Sequence, residues 1–191
     1  MRLDDAVALI APAVGDVAAA RGAWVDLGAG EGTFARALAR LLGAGSIVHA
    51  LDRDAGALAA LDRSGGRDPR AAEIHTTVVD LADARALDAL ALPPLAGVVA
   101  ANALHFVARD AQPTVLADWA VRLRPGGRAV VVEYDRRGAS PWVPFPLDAP
   151  ALRALSVPGL SRFDVVARRP SRHGGDLYVA VAMRGVGVSG R

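Results

Sequence analysis

Cysteine is absent from this chain of 191 residues, which excludes disulfides, thiolate zinc sites and cysteine nucleophiles. Lysine is absent too, and all 22 basic residues are arginine. A catalytic or Schiff-base lysine and the lysine of a phosphate-binding P-loop are thereby excluded. Beside so much Ala, Gly and Pro, the arginine usage looks like GC-rich coding bias. Charge is sparse: 22% of residues are charged against 52% hydrophobic, a balance that argues against disorder. A pI of 9.9 accompanies a net charge of only +2, so the basicity reads as compositional rather than as the mark of an anionic partner. Long apolar runs are missing as well, and nothing approaches the ~20 residues of a membrane span. Met1-Arg2-Leu3-Asp4-Asp5 is too acidic and interrupted for a signal peptide, so a cytoplasmic location is expected. The four histidines, His49, His75, His105 and His173, are scattered without metal-ligand spacing, and no metal is expected.

What the chain does have is an alternation of apolar strands and amphipathic helices. Its length suits one domain, 1–191, with no internal repeat or boundary. Leu3, Val7, Ile10 and Val14 fall at helical spacing and predict a helix over 4–20. Strands are predicted at 23–27, 46–51, 74–79, 96–101 and 128–133. Between them lie helices at 32–42, 54–61, 83–90 and 112–123, a surface loop at 64–69 and a Pro125-Gly126-Gly127 turn. A proline-rich loop, 138–146, and a short helix, 149–156, follow. Strands 162–168 and 177–184, joined through 170–176, read as an antiparallel hairpin before a frayed tail at 185–191. Five strands alternating with helices predict a parallel, doubly wound α/β sheet, to which the hairpin adds one antiparallel strand.

The most informative segment is Ala23-Trp24-Val25-Asp26-Leu27-Gly28-Ala29-Gly30-Glu31-Gly32-Thr33-Phe34, with Asp52 ending the next apolar run. An apolar strand enters three alternating glycines and then a helix, and an acid follows about 20 positions later, which is the layout of a nucleoside-cofactor site. A dinucleotide fingerprint would place its last glycine at 33, where Thr33 stands. The D-x-G-x-G-x-G pattern from Asp26 to Gly32 resembles motif I of the class I S-adenosylmethionine (SAM)-dependent methyltransferases, and the resemblance extends over about residues 20–184. It implies a Rossmann-like, three-layer α/β/α fold with a seven-stranded sheet whose last strand is antiparallel.

The resemblance also implies roles. Gly28, Ala29, Gly30 and Gly32 would form the loop under the methionine part of SAM, and Asp26 would bind its ammonium. Asp52, followed by Arg53, would accept both ribose hydroxyls. Asp80, in Val78-Val79-Asp80-Leu81, would meet the adenine amino group beside Leu81, although a helix N-cap is its plainer reading. Asn102, in Asn102-Ala103-Leu104-His105-Phe106, would pass beneath the sulfonium, or serve only as a strand-end turn residue. His105 is a candidate general base and Tyr134 a candidate acceptor-side group beside Glu133 and Asp135; each is also readable as packing or a solvated strand end. Trp142 and Phe145 would either wall an acceptor or pin their loop.

The Asn/Asp-Pro-Pro-Tyr/Phe motif of amino-directed nucleic-acid methyltransferases is absent, since 102–105 read Asn-Ala-Leu-His. No cysteine serves a cytosine C5 mechanism, and no basic aromatic strip marks an RNA surface. The expected acceptor is therefore a small molecule, with SAM as cofactor and S-adenosylhomocysteine as product. The N-terminal helix would complete a shallow acceptor site as a lid. Apolar strand-rich surfaces would support a homodimer without specifying one. Two other readings stand beside this one: a non-catalytic SAM-binding partner or sensor, and a nicotinamide-dependent oxidoreductase, which lacks its third glycine and its Tyr-x-x-x-Lys pair.

Overall fold

The structure, a computed structural model, describes residues 1–64, 68–81, 83–171 and 175–185. Residues 65–67 of the predicted surface loop, His173 in the predicted hairpin link, and 186–191 of the predicted tail lie outside the described residues. The elements are α1 (Leu3–Val14), α2 (Val17–Ala20), β1 (Ala23–Leu27), α3 (Thr33–Leu42), β2 (Ile47–Asp52), α4 (Ala55–Ser64), β3 (Glu73–Val78), α5 (Ala84–Asp88), β4 (Leu95–Ala101), α6 (Gln112–Ala120), β5 (Leu123–Tyr134), α7 (Ala149–Ala154), β6 (Asp164–Pro170) and β7 (Asp176–Met183). A 3-10 turn, Leu104–Phe106, follows β4.

The strands form one seven-stranded sheet in the order β3-β2-β1-β4-β5-β7-β6. All pairings are parallel except those of β7, which runs antiparallel to both β5 and β6. This is the predicted Rossmann-like sheet. Its central strands β1 and β4 are buried at every residue, because helices cover both faces. The edge strands β3 and β6 alternate or stay half-exposed. Residues of α1, α3 and α4, such as Ile10, Leu38 and Leu58, pack on one face. Residues of α5, α6 and α7, such as Leu87, Trp119 and Leu152, pack on the other. Gly97 pairs with Trp24 across β1 and β4, and a Cβ there would lie 2.4 Å from the indole. Glycine thus makes room for a buried tryptophan, whose Nε1–H is satisfied by the Ala20 carbonyl at 2.8 Å.

Some boundaries differ from the sequence reading. The predicted helix over 4–20 breaks in two. Gly15, at φ +67°, closes α1 with its N–H on the Ala11 carbonyl, and the Asp16 carboxylate caps α2 through the N–H groups of Ala18 and Ala19. The helix predicted to reach residue 123 ends at Ala120. Leu123 already pairs with Leu95, and the Arg124–Gly127 stretch forms an irregularity before Gly97 meets Arg128. The helix expected to act as a lid is built into a core layer: Ala6, Leu9, Ile10, Ala13 and Val14 of α1 are all buried. Among the described residues no helix is long and apolar enough to cross a membrane.

Candidate active site

Strand order reverses between β1 and β4, so the loops after them diverge and leave a crevice at their carboxyl ends. A cavity of about 670 Å³ opens there. Gly28, Asp52, Arg53, Asp80, Leu81 and Asn102 line it, six residues that the sequence singled out from four separate loops.

The three glycines do different work. Gly28 sits at φ +67°, and a Cβ on it would lie 2.8 Å from that of Ala103, so glycine lets the loops after β1 and β4 close on each other. Gly30, at φ +53°, directs its N–H to Asp52 Oδ2 at 2.7 Å. Gly32, at φ +78°, begins α3, and a Cβ would strike Leu61 at 2.3 Å. It joins two helices and does not line the cavity. Ala29 donates its N–H to the Leu51 carbonyl at 3.0 Å, lashing the loop to the end of β2. Asp52 Oδ1 accepts the Asp54 N–H at 2.8 Å. Each Asp52 oxygen therefore holds one intramolecular bond and keeps acceptor capacity for a further donor.

Two side chains at this edge are buried acceptors without donors. Both carboxylate oxygens of Asp26, which is 1% exposed, and Oδ1 of Asn102 lack hydrogen bonds of proper geometry. Burial pushes the Asp26 carboxyl up to about 8, opposed by the Ala35 amide and assisted by the charge of Asp52. Asn102 adopts φ +54°, the left-handed region that asparagine tolerates better than most residues, with its N–H on the Val132 carbonyl at 2.8 Å. Buried polar groups ordinarily find partners, so these orphaned oxygens fit a ligand that brings donors or positive charge. The cap of α5 is supplied by Asp83, through the N–H groups of Arg85 and Ala86. The capping role that the sequence left open for Asp80 is thus filled by its neighbour, and Asp80 lines the cavity.

His105 and Tyr134 stand on a different footing. The His105 side chain is 2% exposed and does not line the cavity. Its Nδ1 lies 2.6 Å from Glu133 Oε2, and its backbone N–H donates to Glu133 Oε1 at 3.2 Å. Its Nε2 makes no hydrogen bond among the described residues. Burial, with the charge of Glu133, pushes the Tyr134 phenol above its ordinary value and holds it protonated as a donor.

Sequence reasoning treated His105 and Glu133 as separate candidates. Their pairing follows from β4 and β5 being neighbours, which brings residues 28 positions apart to one edge. Gln112 was missed entirely. It is buried, and its Nε2 donates to the carbonyls of Leu104, Val107 and Phe145 at 3.0 to 3.3 Å. It thereby ties the loop after β4 to the loop after β5. Trp142 and Phe145 do not enter the core; they are 82% and 39% exposed.

The profile of a methyltransferase-domain family matches residues 25–127, a span that contains the glycine loop, Asp52, Asp80 and Asn102. No curated protein matches the chain. Among solved structures, the chain is similar to the 1,6-didemethyltoxoflavin-N1-methyltransferase of Burkholderia thailandensis, determined with its acceptor and S-adenosylhomocysteine. That likeness has 22% identity and a TM-score of 0.65 over 96% of this chain and 78% of that one. It is also similar to the magnesium protoporphyrin IX methyltransferase of Synechocystis PCC 6803 with bound SAM, at 15% identity and a TM-score of 0.60 over 96% and 78% of the two chains. A SAM-dependent methyltransferase of Methanosarcina mazei aligns at 15% identity and a TM-score of 0.58, covering 86% of this chain and 93% of that one.

Proposed function

We propose that this chain, which belongs to the SAM-dependent methyltransferase family, transfers a methyl group to a small-molecule acceptor by in-line displacement at the carboxyl edge of its sheet. The observation that carries this reading is a set of three buried oxygens without hydrogen-bond partners, on Asp26 and Asn102, at the ends of the two strands where the glycine turn begins and the cavity opens. That set suits the ammonium and sulfonium end of the cofactor. Asp52 offers its remaining acceptor capacity to the ribose hydroxyls, and Asp80 accepts from the adenine amino group with Arg53 and Leu81 alongside. Gly28, Ala29 and Gly30 bring backbone close to the methionine part, while Gly32 holds α3 behind them.

When bound, SAM supplies a methyl group already activated by its sulfonium, so the chain has nothing to protonate on the donor. Its residues align the reactants, which is a proximity effect. Asp26, Asn102 and the Gly28–Gly30 loop would hold SAM in line with the acceptor, whose lone pair would take the methyl group as the sulfonium became a neutral thioether and whose proton would pass to solvent. Tyr134, held as a donor, orients the acceptor. His105, gripped by Glu133 through ring and backbone, keeps the Leu104–Phe106 turn in place beneath it. Two of the similar structures are named for small-molecule acceptors, a precedent that supports a small-molecule acceptor over nucleic acid.

Calorimetry with S-adenosylhomocysteine, NAD and NADP tests the reading. Micromolar binding of S-adenosylhomocysteine alone is expected, weakened about tenfold to a hundredfold by Asp52→Ala. Preference for NAD, or indifference to the substitution, would overturn it.

A further inference from the structure

A second cavity, of about 420 Å³, opens between α7 and the edge strand β6, and it shares no lining residue with the cavity at the carboxyl edge of the sheet. Its wall is Ala149, Pro150, Arg153, Arg162, Val165 and Arg168. Three of these six residues are arginines and none is acidic.

Separate local devices bring the arginines together. Arg153 stands in the last turn of α7, and its carbonyl accepts the Nε–H of Arg162 at 3.0 Å. That bond uses one N–H of Arg162 and leaves both terminal amino groups as donors. Arg168 reaches the cavity through an irregularity in β6. Val165 pairs with Ala180 and Arg168 with Tyr178, two residues of β7 that belong to the core layer on the α7 side, while the register shifts between Val165 and Ala167. Three positions apart in a regular strand, Val165 and Arg168 would face opposite sides of the sheet; the bulge puts them on one. The acid beside them, Asp164, pairs with Val181 and so belongs to the other face.

The charges at this cavity do not cancel. Asp135 holds Arg168 with one carboxylate oxygen and accepts the Ala149 N–H at the head of α7 with the other, at 3.0 Å. Arg153 and Arg162 have no acidic partner among the described residues. Two guanidiniums therefore face one concavity without a counter-charge.

We infer that this cavity binds the phosphoryl group of a small molecule, at a site separate from the methyl-transfer centre. A phosphate dianion matches the two uncompensated charges. Its tetrahedral oxygens can accept from guanidiniums carried by α7, by the link after it and by β6. A carboxylate has a single charge and accepts in one plane, which leaves part of this donor set unused. The volume lies within the range of small-molecule sites, and Ala149, Pro150 and Val165 offer apolar surface to the body that bears the phosphate. The inference stands independently of the methyltransferase reading.

The test titrates inorganic phosphate and phenyl phosphate into the full chain at low ionic strength, with amide NMR spectra reporting where each binds. Benzoate is the carboxylate control, and sodium chloride the control for ionic strength. Saturable binding is expected, with amide shifts at Arg153, Arg162, Val165 and Arg168 and none at Gly28 or Asn102. Arg153→Gln and Arg162→Gln should each weaken it about fivefold to tenfold. Both side chains are exposed, so thermal melts of the two variants should match that of the unsubstituted protein. Arg63→Gln, at the end of α4 on the opposite face, should leave binding unchanged. Tighter binding of phenyl phosphate assigns a phosphomonoester to the site and equal binding assigns free phosphate; either supports the inference. It is overturned if no probe gives saturable shifts at the three arginines, if the shifts fall at Gly28 and Asn102 instead, or if benzoate binds as tightly as phenyl phosphate. Equal weakening by Arg63→Gln would also overturn it, because the attraction would then be diffuse. Failure of S-adenosylhomocysteine to bind would count against the methyltransferase reading alone.

Discussion

Asp26 concentrates the electrostatics of the site in one side chain. Its carboxyl titrates near 3.8 in an unfolded chain and is pushed up to about 8 by burial in the fold. Below the unfolded value both states hold the proton. As pH rises the unfolded chain ionises first, so stability declines until the folded carboxyl also ionises near 8. The melting temperature of the ligand-free protein should therefore fall between pH 5 and 8, and Asp26→Asn should flatten that fall; parallel slopes in a thermal scan would contradict it. Binding of a cationic amino acid group needs the ionised form. Affinity for S-adenosylhomocysteine should then rise from pH 6 to 8, by up to about tenfold per unit, with proton release visible in calorimetry across two buffers. Gly32 gives a second residue-level expectation. Its φ of +78° and the 2.3 Å approach to Leu61 mean that Gly32→Ala should cost about 1–3 kcal/mol in urea denaturation. The glycine spacing alone showed three equivalent residues; their different roles depend on what faces each α-carbon.

Between elements, the decisive contacts join the loops after β4 and β5. Gln112 bonds to three carbonyls across them, and Tyr178 reaches the Leu147 carbonyl at 2.7 Å. Gln112→Leu leaves those carbonyls without their donor at a cost of about 1–3 kcal/mol. Faster amide exchange is expected at Val107 and Phe145, with β1 and β4 unchanged; uniform acceleration across the sheet would mean that Gln112 serves global stability instead. The break between α1 and α2 was readable in Gly15-Asp16, a helix end followed by a cap residue, but the apolar period carried through it. The start of β5 was not readable. Leu123 has the same apolar character as a helix end or as a strand, and its pairing with Leu95 decides. Likewise the His105–Glu133 pair has no signature in spacing and arises because two parallel strands end side by side.

For the whole molecule, α1 is one of the helices packed on its face of the sheet, and the lid expectation turns on whether the core survives its removal. The helix buries Ile10 and Val14 against α3 and the sheet, and Asp4 and Asp5 pair with Arg40 and Arg169. Removing residues 1–14 should uncover that face and abolish cooperative thermal unfolding in circular dichroism. A truncated protein that melts like the full chain would restore the lid. By itself, the order of apolar strands, glycines and acids determined the sheet type, the glycine turn after β1 and the residues at the carboxyl edge. Those features are local: hydrophobic periodicity sets each element, and a glycine or an aspartate at a strand end acts close to where it stands in the chain. Only the tertiary structure decided which groups are buried without partners, which histidine meets which carboxylate, and that Trp142 stays in water. Burial and pairing depend on elements far apart in the chain, and no spacing along it records them.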